Sequence, residues 1–286
     1  MTKQSTIRRR LPSWKVWKNV AASVFVGVAE KNLGTLAAGM AFFATLSFFP
    51  LIASLVAVGG IVLEPHQMSD VGATFAHYLP QDIANLITTQ LNNATQHKVG
   101  NIFVAIISFV LAVFSISGAV NAAQIGTNVA YNIKETRSIV RFKLVGMLWT
   151  FGLIIALAVL LPILFVNEAF LLKQGFSAAL TSAYSIVRWL ALILLAVIGL
   201  AFFYHYGPNR SRTKFQWFSW GAIIATVLWL FVTAGFFVYL QYFANFSNSY
   251  SLFAGIIAMM LWLNLTSFII LIGAEINYQL DEHGAH

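Results

Sequence analysis

Apolar side chains fill six stretches of the chain with hardly a charge among them: residues 36–63, 100–122, 143–166, 182–206, 215–243 and 251–279. Spanning roughly 30 Å of hydrocarbon takes about 20 helical residues, so each stretch is long enough to cross a membrane. Runs of this length exclude a β-barrel, whose strands alternate in segments of about ten residues. Pro50 and Pro162 fall inside the first and third runs and predict local kinks. Two further segments carry helical periodicity. From Trp14 to Gly34, one face holds Trp14, Trp17, Val20, Val24 and Val28, and the other Lys15, Lys18, Asn19 and Ser23. That pattern predicts an amphipathic helix, lying in the membrane interface or packed on the end of the bundle. Within residues 64–99, Pro80 opens a run that aligns Ile83, Leu86, Ile87 and Leu91, predicting a short helix over the outer mouth.

Composition points the same way. The chain is 59% hydrophobic and 9% charged, against about 25% charged residues in soluble domains. The fold class is therefore all-α: a polytopic membrane protein with six transmembrane helices and an N-terminal amphipathic interfacial helix. Charge placement sets the expected topology. Lys3, Arg8, Arg9, Arg10, Lys15, Lys18 and Lys31 precede the first run. Lys134, Arg137, Arg141 and Lys143 separate the second from the third, and Arg210, Arg212 and Lys214 the fourth from the fifth. Only Lys98 and Lys173 fall on the opposite side. Basic residues collect in the cytoplasm, so both termini are expected there. Residues 1–35 then form a basic cytoplasmic N-terminus, 36–280 one membrane domain with an outer loop at 64–99, and 281–286 a short tail. The net charge of +8 reports this topology, and no nucleic-acid partner is expected. No signal-peptide pattern follows the arginines before Leu11. The absence of cysteine excludes disulfides, thiolate metal sites and thiol catalysis.

Polar residues inside the runs are the candidate site. Ser117, Asn121, Gln124 and Asn128 are spaced by 4, 3 and 4 residues and align on one helical face. Asn264, Ser267 and Glu275 share a face of the last helix, Asn264 and Glu275 being about three turns apart. Arg188 lies about two turns into the fourth helix, with Tyr184 a turn above it. Such groups are costly in hydrocarbon unless they meet a partner, a cavity or water. Two readings stand side by side: a polar substrate path between helices, or interhelical hydrogen bonds worth about 0.6 kcal/mol each that hold the bundle together. Glu275 is either part of the path or an interfacial carboxylate paired to a Lys or Arg. Arg188 either snorkels outward or meets a carboxylate, a lipid phosphate or a substrate.

Enzymatic motifs are missing. GxxxxGK[ST], HExxH and GxSxG are all absent, so neither nucleotide hydrolysis nor these hydrolytic chemistries are expected. The outer loop carries Glu64, His66, Asp70, His77, Asp82 and His97. His66 and Asp70 are spaced to share a metal on a helix, but the loop has no tight multi-ligand spacing and reads as solvated. No catalytic residue, metal or cofactor is expected.

Four stretches, in order, resemble one family. They are "LAAGMAFFATLSFFPLI" (Leu36–Ile52), "FSISGAVNAAQIGTNVAYNIKETRS" (Phe114–Ser138), "YHYGPNRSRTKFQWFSWGAIIATVLWL" (Tyr204–Leu230) and "YSLFAGIIAMMLWLNLTSFIILIGAEINYQL" (Tyr250–Leu280). Together they resemble the YihY/virulence factor BrkB family of bacterial inner-membrane proteins, whose closing motif Gly273, Ala274, Glu275 and Asn277 match. The resemblance implies a multi-pass protein of the bacterial inner membrane. Some members bear the label ribonuclease BN. The residues expected on the cytoplasmic side offer no paired-carboxylate or His/Asp metal cluster for nuclease chemistry, so the label is not carried over. Family associations with resistance to host killing, envelope lipid handling and salt tolerance imply transport. The expected function is translocation of an amphipathic anionic substrate, a phospholipid or lipid A precursor, with membrane lipids and envelope lipid-transport proteins as partners. The alternatives are an ion- or proton-coupled small-solute transporter and a non-transporting envelope scaffold. Small residues in "GAVNAAQIG" allow close helix approach, either in a homo-oligomer or within one chain.

Overall fold

The computed structural model describes residues 13–62, 98–166, 168–210, 219–243 and 251–283. The expected short helix at Pro80 and the His66–Asp70 pair lie outside the described residues. Every regular element among those described is a helix: α1 (Trp14–Glu30), α2 (Leu33–Val62), α3 (Lys98–Ala130), α4 (Ile139–Phe165), α5 (Glu168–Lys173), α6 (Ala178–Tyr206), α7 (Trp220–Phe243) and α8 (Ser251–Glu282). Six of them, α2, α3, α4, α6, α7 and α8, are long and apolar enough to cross a membrane. Helices suit these sequences because each satisfies its own backbone hydrogen bonds where no water is present. Pro50 and Pro162 both lie within continuous helices, α2 and α4.

α2 and α3 pack along one another, and α8 lies against both. α7 then packs on α8, α4 on α3, and α6 on α7. The centre is built of small and medium side chains: Ala37, Met40, Ala130, Ala201, Ala222, Leu271 and Ala274, with Tyr131 and Tyr204. Small residues bring backbones together. At the α7–α8 crossing, a Cβ on Gly221 would run into the Gly273 carbonyl, and one on Gly273 would meet the Tyr204 hydroxyl.

Two asparagines make the tight turns. Asn32 (φ 51°) joins α1 directly to α2, and Asn132 (φ 54°) ends α3. Asparagine is among the few non-glycine residues that visit this left-handed region readily. After α3 the Ile133 N–H donates to the Asn128 carbonyl (2.8 Å) and the Asn132 N–H to that of Val129 (3.0 Å), which closes the helix in a Schellman arrangement. α3 therefore continues eight residues past the expected end at 122, and the whole polar stripe from Ser117 to Asn128 is helical.

α1 packs on the C-terminal part of α8. Val20 is buried with Ile276 and Leu280, and Val16, Trp17 and Val24 pack around them. Trp17 meets Trp220 edge-on at 5.6 Å. Of the apolar face read from the sequence, Trp17, Val20, Val24 and Val28 turn inward. Trp14 (72% exposed) points out, as does Phe25 (80%). α1 thus places the start of the described chain beside its end. Lys31, Lys134, Arg137 and Arg210 gather at this same end of the bundle, hereafter the basic end.

Candidate functional site: a buried ion pair, a polar stripe and a far arginine

The last two turns of α8 carry a carboxylate where the helix leaves the apolar layer. Glu275 is fully buried and Lys31, in the α1–α2 turn, reaches it. Lys31 Nζ donates to Glu275 Oε2 (2.6 Å) and to the Ala130 carbonyl of α3 (2.7 Å), and sits 4.1 Å from the Tyr278 ring. The second carboxylate oxygen accepts from Gln279 Nε2 at 2.8 Å. Gly27 of α1 backs onto this group: a Cβ there would collide with the Glu275 carboxylate. A buried charge is tolerated only when paired and hydrogen-bonded, and this one is. The basic partner named in one of the two readings of Glu275 is thus present, and it is Lys31.

A second network lies beside it. Asn277 Oδ1 accepts from the Gly221 N–H (2.8 Å), and its Nδ2 donates to the Tyr131 hydroxyl (3.1 Å) and Ser219 Oγ (3.3 Å). Burial pushes the Tyr131 phenol up to about 12, against a lowering by nearby Arg210. Arg210 lies 4.4 Å over the Tyr131 ring and pairs with Asp281 at 2.8 Å. Tyr204 donates to the Ile270 carbonyl (2.7 Å), tying α6 to α8.

Asn128 organises the loops. Its Oδ1 accepts from the Asn209 N–H (2.7 Å) and its Nδ2 donates to Glu135 Oε2 (2.8 Å). Arg137 grips both oxygens of Glu135, at 2.8 and 2.6 Å. That guanidinium is the main reason the Glu135 carboxyl is held below its usual value. Asn209 Nδ2 donates in turn to Thr136 Oγ1 (2.7 Å). The segments after α3 and α6 are joined through these side chains.

Deeper in the bundle the stripe changes character. Gln124 is fully buried, and its Nε2 reaches Asn121 Oδ1 only at 3.5 Å. Its Oε1 has no hydrogen-bond partner among the described residues. Both amides lie in the α3–α4 seam against Gly146, where a Cβ would collide with Asn121 Oδ1. Ser117 is half-buried one turn further along α3. On α8, Ser267 is buried and Asn264 half-buried. Leu271, fully buried against Gly126 of α3, stands between Ser267 and Glu275. An apolar plug therefore interrupts the α8 stripe.

Arg188 is at the other end. Its Nη1 donates to the Val166 carbonyl just past α4 (2.7 Å), while its buried Nε has no partner. The guanidinium carbon is 5.9 Å from the Tyr184 ring centre and 5.4 Å from that of Trp189. The eight sequence-derived residues do not converge on one site. Asn128 and Glu275 belong to the basic end, Ser117, Asn121, Gln124, Asn264 and Ser267 to the interior, and Arg188 to the far end. Lys31, Tyr131 and Asn209 were not singled out by sequence reasoning. Tyr131 follows Asn128 by three residues, and that helical spacing was the available signal. Among the described residues no cluster of three or more His, Asp or Glu is placed to hold a metal.

Six spanning helices tied at one end by buried ion-pair and amide networks define a multi-pass membrane protein. Residues 24–286 match the family described as virulence factor BrkB, and the chain belongs to that family. It is 29% identical over 252 residues to a ribonuclease-like protein, YfkH of Bacillus subtilis (strain 168), covering 86% of this chain and 89% of that one. It is 28% identical over 256 residues to a UPF0761 membrane protein of Vibrio campbellii (85% and 76% covered). It is 25% identical over 217 residues to the UPF0761 membrane protein IL2447 of Idiomarina loihiensis (74% and 72%). No solved structure matches the chain.

Proposed function

We propose that this chain carries an amphipathic anionic molecule, of the phospholipid or lipid A precursor class, across the bacterial inner membrane along the α3–α4 seam. One observation carries the reading: Gln124, fully buried on a polar stripe, has an acceptor oxygen without a partner. Buried polar atoms almost always find a partner, so an unfilled acceptor in an apolar bundle marks a place for a donor, such as a headgroup hydroxyl or ammonium, to pass or rest beside the anionic group. A headgroup would follow Ser117, Asn121, Gln124 and Asn128 while its tails stay in the bilayer beside the exposed Ile106, Val110 and Phe114 of α3. In this reading the basic end and both termini face the cytoplasm. With no phosphate-cradling loop, movement is passive, gradient-driven or driven by a partner. Envelope lipid-transport proteins are the partners it calls for. The reading assigns no catalytic role: Glu135, Glu275 and Asp281 are each gripped by a basic side chain.

The test is reconstitution in vesicles holding an acyl-labelled phospholipid, with a membrane-impermeant quencher added outside. Wild type should raise the rate at which inner-leaflet label becomes quenchable, and Gln124→Leu should slow it. No acceleration, with or without a proton or sodium gradient, overturns the proposal. The competing ion-coupled reading rests on buried Glu275. There Glu275→Gln should abolish flux and leave lipid movement untouched.

A further inference from the structure

Arginine inside an apolar helix demands a partner for its charge. Arg188 lies ten residues into α6, about 15 Å from that helix's first residue, at the end opposite Lys31. A snorkelling side chain would stretch towards water. Arg188 instead donates Nη1 to the Val166 carbonyl at 2.7 Å. The ion pairs among the described residues join Lys31 to Glu275, Arg137 to Glu135 and Arg210 to Asp281, and none involves Arg188.

The geometry leaves one donor of the guanidinium, the buried Nε, without a partner among the described residues. With Nη1 engaged, Nε and Nη2 form the remaining fork. A fork of this shape matches two oxygens of one phosphate or carboxylate. The Tyr184 and Trp189 rings both lie within cation–π range of the guanidinium, their centres 5.9 and 5.4 Å from its carbon. Its neighbours on α6 are apolar and open: Ile186 is 64% exposed, and Val187 and Leu190 nearly as much. An anion reaching Arg188 past such side chains comes most easily attached to something apolar itself.

We infer that the free Nε edge of Arg188 binds the phosphate of a membrane phospholipid drawn from the leaflet opposite the basic end. The inference rests on the transport reading only in taking this lipid to be the cargo. The binding itself stands without movement and is measured without it.

The test uses the purified full chain, stripped of lipid in detergent, with binding read by native mass spectrometry. Phosphatidylglycerol is compared with a diacylglycerol of the same tails, and inorganic phosphate is added as competitor. Wild type should prefer the phospholipid by about tenfold or more, the worth of one charge-assisted hydrogen bond. Arg188→Gln should erase that preference, and Arg188→Lys should keep part of it, since an ammonium offers charge without the fork. Arg141→Gln, at the exposed start of α4, should behave as wild type. Equal binding of diacylglycerol overturns the inference, as does unchanged phospholipid binding by Arg188→Gln. Displacement by millimolar inorganic phosphate also overturns it, because the site would then serve a soluble anion. A second measurement keeps Arg188 in place. The chain has no cysteine, so Ile186→Cys carries a single photo-crosslinker. Captured phospholipid supports the inference, and capture of detergent or neutral lipid alone sinks it. If Arg188-dependent binding holds but vesicles show no lipid movement, the transport reading fails and the binding site stands. If lipid moves but no binding depends on Arg188, the site is lost and transport stands.

Discussion

Removing either half of the Lys31–Glu275 pair should destabilise the protein unequally. Glu275 is closed to solvent, whereas Lys31 keeps 18% of its side chain exposed. Lys31→Met leaves a carboxylate in the interior with Gln279 as its side-chain donor. An uncompensated buried charge of this kind costs about 3–5 kcal/mol. Glu275→Gln is milder. The lysine still donates to the Ala130 carbonyl, and its flexible stem can turn the ammonium towards water. The loss is then near the lower end of a charge-assisted hydrogen bond, about 1.5 kcal/mol. Lys31→Met with Glu275→Leu removes both charges and keeps apolar volume, which should recover most of the loss. Thermal unfolding in detergent, followed by tryptophan fluorescence, reads the series. At about 2–4 °C per kcal/mol, the lysine variant should melt about 6–20 °C lower and the glutamine variant about 3–6 °C lower. A larger drop for Glu275→Gln than for Lys31→Met would refute the reasoning. So would a double variant as unstable as the two losses combined.

Two further outcomes follow from the same packing. Gly221→Ala should cost about 1–3 kcal/mol, because the new methyl meets the Gly273 carbonyl and the Asn277 amide. Gly235→Ala, with open space around it, should be neutral or stabilising by up to about 1 kcal/mol; equal melting of the two variants contradicts the close α7–α8 approach. The third outcome concerns pH. Arg137 holds the folded Glu135 carboxyl below its ordinary 4.5, so its stabilisation is present above that value and lost as pH falls through the folded one. Melting temperatures taken from pH 6 downward should drop more steeply for wild type than for Glu135→Gln below 4.5, and parallel curves would remove Glu135 from the account.

Much of the fold was legible in the sequence, because a spanning helix must be long, apolar and internally bonded. The polar stripe was legible too, since Ser117, Asn121, Gln124 and Asn128 keep a helical period. The end of α3 was not. Hydropathy falls after residue 122, but the helix stops where Asn132 takes the left-handed conformation and not where apolarity fades. That a basic residue pairs with Glu275 was one of two open readings. That it is Lys31 was hidden by a separation of 244 residues along the chain. The same distance concealed which residues of α1 turn inward: Trp14 shares a helical line with Trp17 and Val20 in projection, yet those two pack against α8 while Trp14 stays 72% exposed. Leu271 falls on the same helical line as Ser267 and Glu275, which the spacing shows, but a leucine in an apolar run carries no mark of Gly126, the partner it seals against.

The docking of α1 also bears on how the chain is made. The groove that receives Val20 is lined by Ile276 and Leu280 of α8, and Lys31 finds its carboxylate on the same helix. Among the described helices, α1 leaves the ribosome well before α8 and waits for it before it can settle. A chain halted before α8 would carry an unfilled apolar stripe and a lysine without its counter-charge, both near its own N-terminus. Docking of α1 thus depends on α8 having been made, and a copy that lacks α8 leaves the apolar face of α1 uncovered.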